Sequence, residues 1–348
     1  MENILFLAAM VLAIAVVYGW GFTRLPGERW QIMASVPRLK AGSHWEALNI
    51  TWYGCIVACA CAAGAGLTIV LLGSVGIPLG FTTIFCLAVL AVCLPGSRLI
   101  ARIVEGKRHT ATVGGAMFLG LLMAPLLLWV SGRILPARMG TQVPAIVILA
   151  CMAVTYTLGE GIGRLACISF GCCYGKPVAN LPAWLRTVFE PLGVTFRGPT
   201  KKIAYAHGLD GVKVVPIQAV TAVIHAVAAL AGVWLFLEGA YGAAFLSALV
   251  VTQVWRVASE FLRADFRGSL SLSAYQVMAA LAVVIAIVVV SLYNAPFRVP
   301  HIVDGLSMLW HPLALLFLQG LWLAVFYSSG RSSVTGARVS LHVIHERI

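Results

Sequence analysis

Charged residues are scarce in this chain, and acidic residues are scarcer than basic ones. Charged residues make up 10% of the 348 positions, with 24 Lys and Arg against 12 Asp and Glu, and the mean hydropathy is +0.95. Soluble domains average about 25% charged residues, so this composition excludes an ordinary soluble protein and indicates a polytopic membrane protein. The net charge of +12 suits contact with anionic lipid headgroups. No basic run is interleaved with aromatic residues, so we predict no nucleic-acid partner.

The chain also lacks the spacings typical of disulfide frameworks and zinc sites. Most of its nine cysteines lie inside apolar runs, where cysteine acts as a small hydrophobic residue. Metal sites usually add histidine or paired Cys-x2-Cys motifs, and neither accompanies these cysteines. We therefore predict no metal site and no cofactor. The first apolar run has no Ala-x-Ala-like cleavage site, so we expect a retained helix rather than a cleaved signal peptide.

Long apolar runs dominate what is present. A helix that crosses the bilayer needs about 20 predominantly apolar residues, and nine segments approach or reach that length. The predicted spans are 3–22, 50–72, 79–96, 112–130, 144–166, 217–238, 240–261, 273–293 and 307–328.

The predicted loops differ in charge between the two sides of the membrane. Loops 23–49, 97–111, 174–216 and 262–272 share one side and carry most of the basic residues. The positive-inside rule would place that side in the cytoplasm. We expect the proline-rich stretch 174–216 to form a small cap on the membrane surface, and the polar tail after Tyr327 to be mobile.

An arginine at the end of a predicted span suggests a binding site. Burying Arg164 in lipid is energetically costly unless the side chain is paired, solvated in a cavity or part of a functional site. Glu160, four residues earlier, can pair with it on one helix face. Gly171 and Gly175 follow closely and suggest a tight loop against a ligand. The alternative is an arginine that only extends to the membrane interface.

A second charged group lies about ninety residues later. Arg256, Glu260 and Arg263 are spaced by four and three residues, which predicts one shared helical face. One Arg–Glu pair would neutralise itself, and the remaining arginine could bind phosphate through its fork of donors. The alternative is an ion pair that only locks two helices together. Two cationic clusters at helix ends suggest a pocket for an anionic headgroup.

Three cysteines follow Arg164 closely. Cys167, Cys172 and Cys173 could be metal ligands, or one could be a nucleophile whose pKa is lowered by the arginine. A structural role is the favoured alternative.

Three histidines are candidates for a base or a packing role. His225 lies within a predicted span, where we expect it to be packed or hydrogen-bonded. His109 in a basic loop and His207 in the cap could each act as a general base, although an isolated histidine usually does not.

Taken in order, six short motifs resemble the prolipoprotein diacylglyceryl transferase family. The resemblance covers about residues 50–293. The motifs are Trp52-Tyr53-Gly54, Gly114-Gly115 followed by Gly120, Gly163-Arg164-Leu165 followed by Gly171 and Gly175, Pro216-x-Gln218, Arg256-x3-Glu260-x2-Arg263, and Gln276.

This resemblance implies the fold and the domain boundaries. We expect an all-α polytopic membrane protein with a seven-helix core at 50–293, which includes an extracytoplasmic cap at 174–216. An extra helix and a basic loop occupy 1–49, and an extra helix with a polar tail occupies 294–348.

The resemblance also implies which residues form the site. The implied catalytic residues are Arg164, Arg256 and Glu260. The implied substrate-binding residues are Tyr53, Arg98, Gly114, Gly115, Cys172, Gly175, Gln218, Arg263 and Gln276.

Several polar residues of the family are absent from this chain. The essential histidine of the family falls at Val113, two asparagines fall at Cys167 and Phe170, a glutamate falls at Cys172, and a second histidine falls at Val215. The arginines proposed to hold phospholipid are retained, whereas polar groups near the acceptor are lost.

In the family, phosphatidylglycerol occupies a central cavity, an acceptor thiol attacks the diacylglycerol carbon, and glycerol phosphate leaves. The resemblance therefore implies a bacterial inner-membrane transferase that uses an anionic phospholipid, phosphatidylglycerol, and an unidentified lipid or protein acceptor. The alternative is a protein that binds or moves phospholipid without chemistry. Family membership places the lipid site on the periplasmic or extracellular side, against the charge rule, and we give the resemblance more weight.

Overall fold

The fold is a bundle of apolar helices with a small sheet and a cap. The computed structural model describes residues 1–106, 112–134, 144–264, 272–293 and 295–348.

Twelve α-helices occur within the described residues. They are α1 Glu2–Arg24, α2 Trp52–Ser74, α3 Leu79–Glu105, α4 Val113–Ile134, α5 Ala145–Phe170, α6 Ala183–Leu192, α7 Lys202–His207, α8 Ile217–Leu237, α9 Tyr241–Glu260, α10 Ala274–Tyr293, α11 Ile302–Met308 and α12 Pro312–Ser329.

Each of the nine predicted spans contains one long helix, although the span 307–328 begins in α11 and only its part from Pro312 lies in α12. The polytopic all-α class is confirmed. Eight described helices, namely α1, α2, α3, α5, α8, α9, α10 and α12, are long and apolar enough to cross a membrane. The ninth predicted span coincides with α4. Helix α3 extends to Glu105, beyond the predicted end at 96, because its last turns carry polar residues that end the apolar run without ending the helix.

Helix α5 lies at the centre of the bundle, where it packs against α2, α8 and α9. Small residues allow this close packing. At Gly161, an added Cβ would lie 2.9 Å from the Tyr18 hydroxyl and 3.1 Å from the His225 Cβ, so a larger residue would push neighbouring helices apart. The central position of α5 places its polar residues at the meeting point of several helices.

A three-stranded antiparallel sheet was not predicted. Its strands are β1 Ile32–Ala41, β2 His44–Thr51 and β5 Arg331–Val339, in the order β1-β2-β5, and β3 Val194–Thr195 pairs with β4 Lys213–Val214 in the cap. The predictions of a loop at 23–49 and a mobile tail after Tyr327 are therefore wrong for these strands. Gly42, at φ 62°, turns β1 into β2 in a two-residue hairpin.

The cap packs against the chain that follows α1 and against the end of α9. Arg197 N donates to Pro26 O at 3.1 Å, and Lys176 N donates to Leu262 O at 2.9 Å. Loops 23–49 and 174–216 and the described start of loop 262–272 thus meet on one face, as predicted. The fourth loop, with His109, lies partly outside the described residues.

One buried lysine joins the cap to two helices. Lys201 is fully buried, and its Nζ donates to Ser169 O at 2.6 Å and to Leu25 O at 3.2 Å. These carbonyls lie at the C-terminal ends of α5 and α1. Burial lowers the pKa of Lys201 from its ordinary value of 10.5 to about 8.

We expect this shifted pKa to give a pH-dependent stability. The folded protein loses the Lys201 proton near pH 8, whereas the unfolded chain keeps it until about pH 10.5. The free energy of unfolding should therefore rise with pH across this window, by up to roughly 3 kcal/mol relative to Lys201→Met. Unfolding of the detergent-solubilised protein from pH 7 to 11 tests this. The exposed Lys213→Met is the control, and an equal pH profile for wild type and Lys201→Met would contradict the prediction.

The glycine of the Trp-Tyr-Gly motif permits a close contact with the C-terminal segment. A Cβ at Gly54 would lie 2.1 Å from Gly330 Cα. The same segment accepts two hydrogen bonds, because Thr51 donates to Gly330 O from its backbone N at 2.8 Å and from its Oγ1 at 3.1 Å. This contact attaches α12 and β5 to the start of α2.

We expect Gly54→Ala to destabilise the protein by about 1–3 kcal/mol, because the new methyl group would have to displace backbone. Gly320→Ala is the matched control, since a Cβ there meets nothing within 4 Å and alanine favours a helix by about 0.5–1 kcal/mol. Thermal unfolding in detergent should show a lower midpoint for the first variant alone. Equal midpoints would mean that the two segments separate easily.

Candidate active site

A buried charge cluster forms where α5 meets α9. Glu160 accepts a hydrogen bond from Arg164 Nη2 at Oε1, and Arg256 Nη2 donates to both carboxylate oxygens at 2.7 and 2.8 Å. The Tyr156 hydroxyl donates to Glu160 Oε2 and accepts a hydrogen bond from Arg256 Nη2 at 3.2 Å. We call Tyr156, Glu160, Arg164 and Arg256 the charge cluster.

His225 on α8 borders this cluster. Its Nε2 lies 3.4 Å from Glu160 Oε2, and the side chain is buried. Neither ring nitrogen has a hydrogen-bonding partner among the described residues. The expectation of a buried, packed histidine is confirmed, and its position beside the carboxylate was not predicted.

The charge cluster has more positive than negative charge. Two guanidinium groups share one carboxylate, so its formal charge is +1 when His225 is neutral. The side chains of Glu160, Arg164 and Arg256 are only 1%, 11% and 12% exposed. Within the described residues, the Nε atoms of both arginines are buried without a hydrogen-bonding partner. Unsatisfied cationic donors in an apolar setting are costly, and an anion placed there would satisfy them.

An apolar cavity adjoins the charge cluster. It has a volume of about 90 Å³ and lies between α4, α5 and α9. Tyr156 belongs to both, because its ring lines the cavity and its hydroxyl bonds to Glu160. The other walls include Met117, Leu121, Met152 and Phe245. The site therefore joins a polar end to a small apolar cavity.

The structure brings Arg164 and Arg256 together and confirms the pair of Arg164 with Glu160, but it pairs Arg256 differently from the prediction. Arg256 bonds to Glu160 on another helix, and Glu260 Oε1 lies 3.9 Å from Arg263 Nη1. Helix α9 ends at Glu260, so Arg263 lies beyond the helix, and the prediction of one continuous helical face for all three residues is wrong. The unbalanced positive charge of the site therefore lies where Arg164 and Arg256 share the Glu160 carboxylate.

The Gly-Gly motif lies against the charge cluster and against α3. A Cβ at Gly114 would lie 2.8 Å from Arg256 Nη1, so this glycine leaves room for the guanidinium group. A Cβ at Gly115 would lie 2.7 Å from Thr112 Oγ1 and 2.9 Å from Ile100 Cγ2. The backbone of this motif therefore approaches the arginine closely enough to help form a ligand site.

The signature loop, residues 171–175, is fixed from three directions. Gln218 Nε2 donates to Cys172 O at 2.7 Å. Gly175 forms a β-bridge with Arg263, and a Cβ on Gly175 would lie 2.6 Å from Val215. Contacts within the protein therefore hold the loop in a defined conformation.

The other predicted substrate-binding residues have different surroundings. The Tyr53 and Phe170 rings lie 5.7 Å apart. Gln276 accepts from Ser273 N at 2.9 Å and donates to Val257 O at 3.2 Å, so it connects the start of α10 to α9. Arg98 is exposed on α3 rather than buried with the charge cluster. The substrate-binding roles of these residues stay predictions.

The three cysteines after Arg164 lie close together. Their Sγ atoms are all within 4.8 Å of one another, and we call Cys167, Cys172 and Cys173 the cysteine cluster. Hydrogen bonds with Cys167 and Cys173, together with burial, raise the pKa of the Cys172 thiol well above its ordinary value. A raised pKa opposes a nucleophilic thiolate at neutral pH.

The candidate bases in the loops have less support. His207 shares a hydrogen bond between its Nδ1 and the Tyr174 hydroxyl, which gives it a packing role in the cap. His109 lies outside the described residues.

Tyr156 was missed as a site residue, and Glu160 was foreseen only as a partner for Arg164. A signal for both was present in the sequence. Tyr156, Glu160 and Arg164 follow one another at four-residue intervals, which places three polar side chains on one face of an otherwise apolar helix.

Comparison with known proteins identifies the family. The family model described as prolipoprotein diacylglyceryl transferase matches residues 42–292, more than half of the chain. The chain belongs to the prolipoprotein diacylglyceryl transferase family. It is 30% identical over 134 residues to a phosphatidylglycerol–prolipoprotein diacylglyceryl transferase of Clostridium tetani (strain Massachusetts / E88). This match covers 38% of the chain and 47% of the relative, so the chain spans about half the length of the curated relative it matches.

We expect Glu160→Gln to destabilise the protein by about 3–5 kcal/mol, because it leaves two buried arginines without a counter-charge. Glu190→Gln is the control, since Glu190 is 58% exposed and lies 3.5 Å from Lys213. Loss of that exposed pair should change the free energy of unfolding by less than about 0.5 kcal/mol. Denaturant unfolding in detergent measures both variants. Equal stability of the two variants would show that the cluster tolerates an unpaired cation.

Proposed function

We propose that this chain is a membrane transferase that takes a diacylglyceryl or related lipid group from an anionic phospholipid. Phosphatidylglycerol is the proposed donor, and the acceptor is an unidentified lipid or protein. The observation that carries this proposal is the junction at Tyr156, where a cluster with an excess positive charge meets an apolar cavity. Family membership adds independent support.

The two arginines supply the electrostatic part of the reaction. Arg164 and Arg256 each have a buried Nε donor without a partner among the described residues, and these donors can bind the lipid phosphate. As the glyceryl carbon separates from the phosphate oxygen, negative charge develops on the leaving glycerol phosphate. Fixed cations in a water-poor site stabilise that charge more strongly than water does.

The acceptor completes the exchange. Its nucleophilic atom bonds to the glyceryl carbon while the carbon–oxygen bond to phosphate breaks, and the electron pair leaves with glycerol phosphate. The proton of the acceptor needs a base, and Val113 cannot accept a proton where the family has its histidine. A neutral imidazole has one acceptor nitrogen, so His225 beside Glu160 is our candidate.

The location follows from the same proposal. We place the protein in the bacterial inner membrane with the lipid site towards the periplasmic or extracellular side, as the family implies. Glu160 on α5 pairs with Arg256 on α9, and the C-terminal ends of both helices meet the cap. The cap would therefore cover the route taken by the acceptor.

A second candidate function is phospholipid binding without chemistry. Its support is the replacement of the family's polar residues by Val113, Cys167, Phe170 and Cys172. Both oxygens of Glu160 are also engaged by arginines, which leaves this carboxylate poorly suited to act as a base. A protein of this kind would hold the phosphate at Arg164 and Arg256, with part of the lipid's apolar portion against the adjoining cavity.

Reconstituted protein distinguishes these two functions. We expect vesicles of headgroup-labelled phosphatidylglycerol, mixed with whole-membrane acceptors, to release labelled glycerol phosphate. Arg256→Lys should lower the rate at least about tenfold, because it keeps the charge but loses a charged hydrogen bond worth roughly 1.5–3 kcal/mol. Arg186→Lys, an exposed change in the cap, is the control.

The outcomes separate the proposals clearly. Bound phosphatidylglycerol that stays intact with every acceptor fraction would favour the binding function. Undiminished binding and release by Arg256→Lys would remove the phosphate role of Arg256.

A further inference from the structure

The cysteine cluster has the geometry of a metal site. All three Sγ atoms lie within 4.8 Å of one another. Metal–thiolate bonds of about 2.3 Å hold three sulfur ligands roughly 4 Å apart. Movements of less than about 1 Å, within the reach of side-chain rotation, would therefore bring the three sulfurs onto one ion.

The backbone holds these thiols together. Helix α5 ends at Phe170, and Gly171 adopts a left-handed conformation at φ 69° that folds the chain back. Cys172 N then donates to Cys167 O at 3.0 Å, which places two of the cysteines side by side. Cys173 has φ 57°, which L side chains rarely adopt. The three sulfur atoms therefore lie close together, although the spacing of the cysteines in the sequence is unlike that of common zinc sites.

The surroundings of the cluster are rigid and carry positive charge. Gln218 fixes the Cys172 carbonyl, and Tyr174 O accepts a hydrogen bond from Ala264 N at 3.1 Å. Arg164 precedes Cys167 by three residues, so the two share one face of α5. A nearby cation offsets the negative charge that thiolates bring to a site. Pre-organised ligands of this kind need little rearrangement when an ion binds.

The chemistry of the ligand set selects the class of ion. In the described part of the chain, the group that could hold a metal contains only sulfur ligands. Thiolates favour soft ions such as Cu(I), and also bind Zn²⁺. We propose that Cys167, Cys172 and Cys173 bind one thiophilic metal ion through three thiolates, with the three thiol protons released to solvent. Its ligands are the three thiols, so metal binding can be measured without lipid or lipid transfer.

Cadmium provides a direct probe of this site. We expect the reduced, metal-free, full-length protein in detergent to bind one Cd²⁺ per chain, with sulfur-to-metal charge-transfer absorption in the ultraviolet. Cys167→Ser and Cys173→Ser should each weaken binding at least about 100-fold. Cys59→Ser, an exposed cysteine on α2, is the control and should bind as the wild type does.

A second measurement avoids dependence on how the variants fold. Cd²⁺ should protect Cys167 and Cys173 of the wild-type protein from alkylation, as read by peptide mass spectrometry and compared with the same protein without Cd²⁺. Alkylation of Cys167 and Cys173 at the same rate with and without saturating Cd²⁺ would overturn the proposal. Undiminished stoichiometric Cd²⁺ binding by a folded Cys167→Ser protein would also overturn it.

Discussion

The interaction on which the site depends is the shared use of one carboxylate by two buried arginines. Glu160 forms ion pairs with Arg164 on its own helix and with Arg256 on α9. Burying any of these charges alone is strongly unfavourable, so each needs the others in place. The ion pairs therefore do more than add stability. They require α5 and α9 to meet at one depth and in one rotational register, and this fixes the walls of the adjoining cavity.

Small residues make that meeting possible. Gly161 lets α5 approach Tyr18 and His225, and Gly114 leaves space for the guanidinium group of Arg256. In a bilayer, apolar side chains gain little from leaving lipid, so close backbone packing and polar contacts carry much of the association between helices. The glycines therefore allow the helices to approach closely enough for the ion pairs of the charge cluster to form.

The sequence predicted the helices well because hydropathy is a local property. Nine apolar runs became nine helices, and the i, i+4 spacing predicted the pair of Glu160 and Arg164. The partner of Arg256 was missed because spacing within one helix says nothing about the neighbouring helix. The sheet was missed for a similar reason, since β2 pairs with β5, nearly three hundred residues away. The cysteine cluster depends on the turn at Gly171, which a search for regular metal-binding spacings does not detect.

The chain retains and alters different parts of one site. The two arginines that we propose to bind phosphate lie in the charge cluster on α5 and α9, whereas Cys167, Phe170 and Cys172 lie at the end of α5 and in the signature loop. The proposed phosphate site therefore depends on the helices, and we propose that recognition of an acceptor depends on the loop and the cap. The loop is held by Gln218 and by the bridge between Gly175 and Arg263, and none of these contacts involves Glu160. Under the proposed function, this separation would let the phosphate site persist while residues of the loop change.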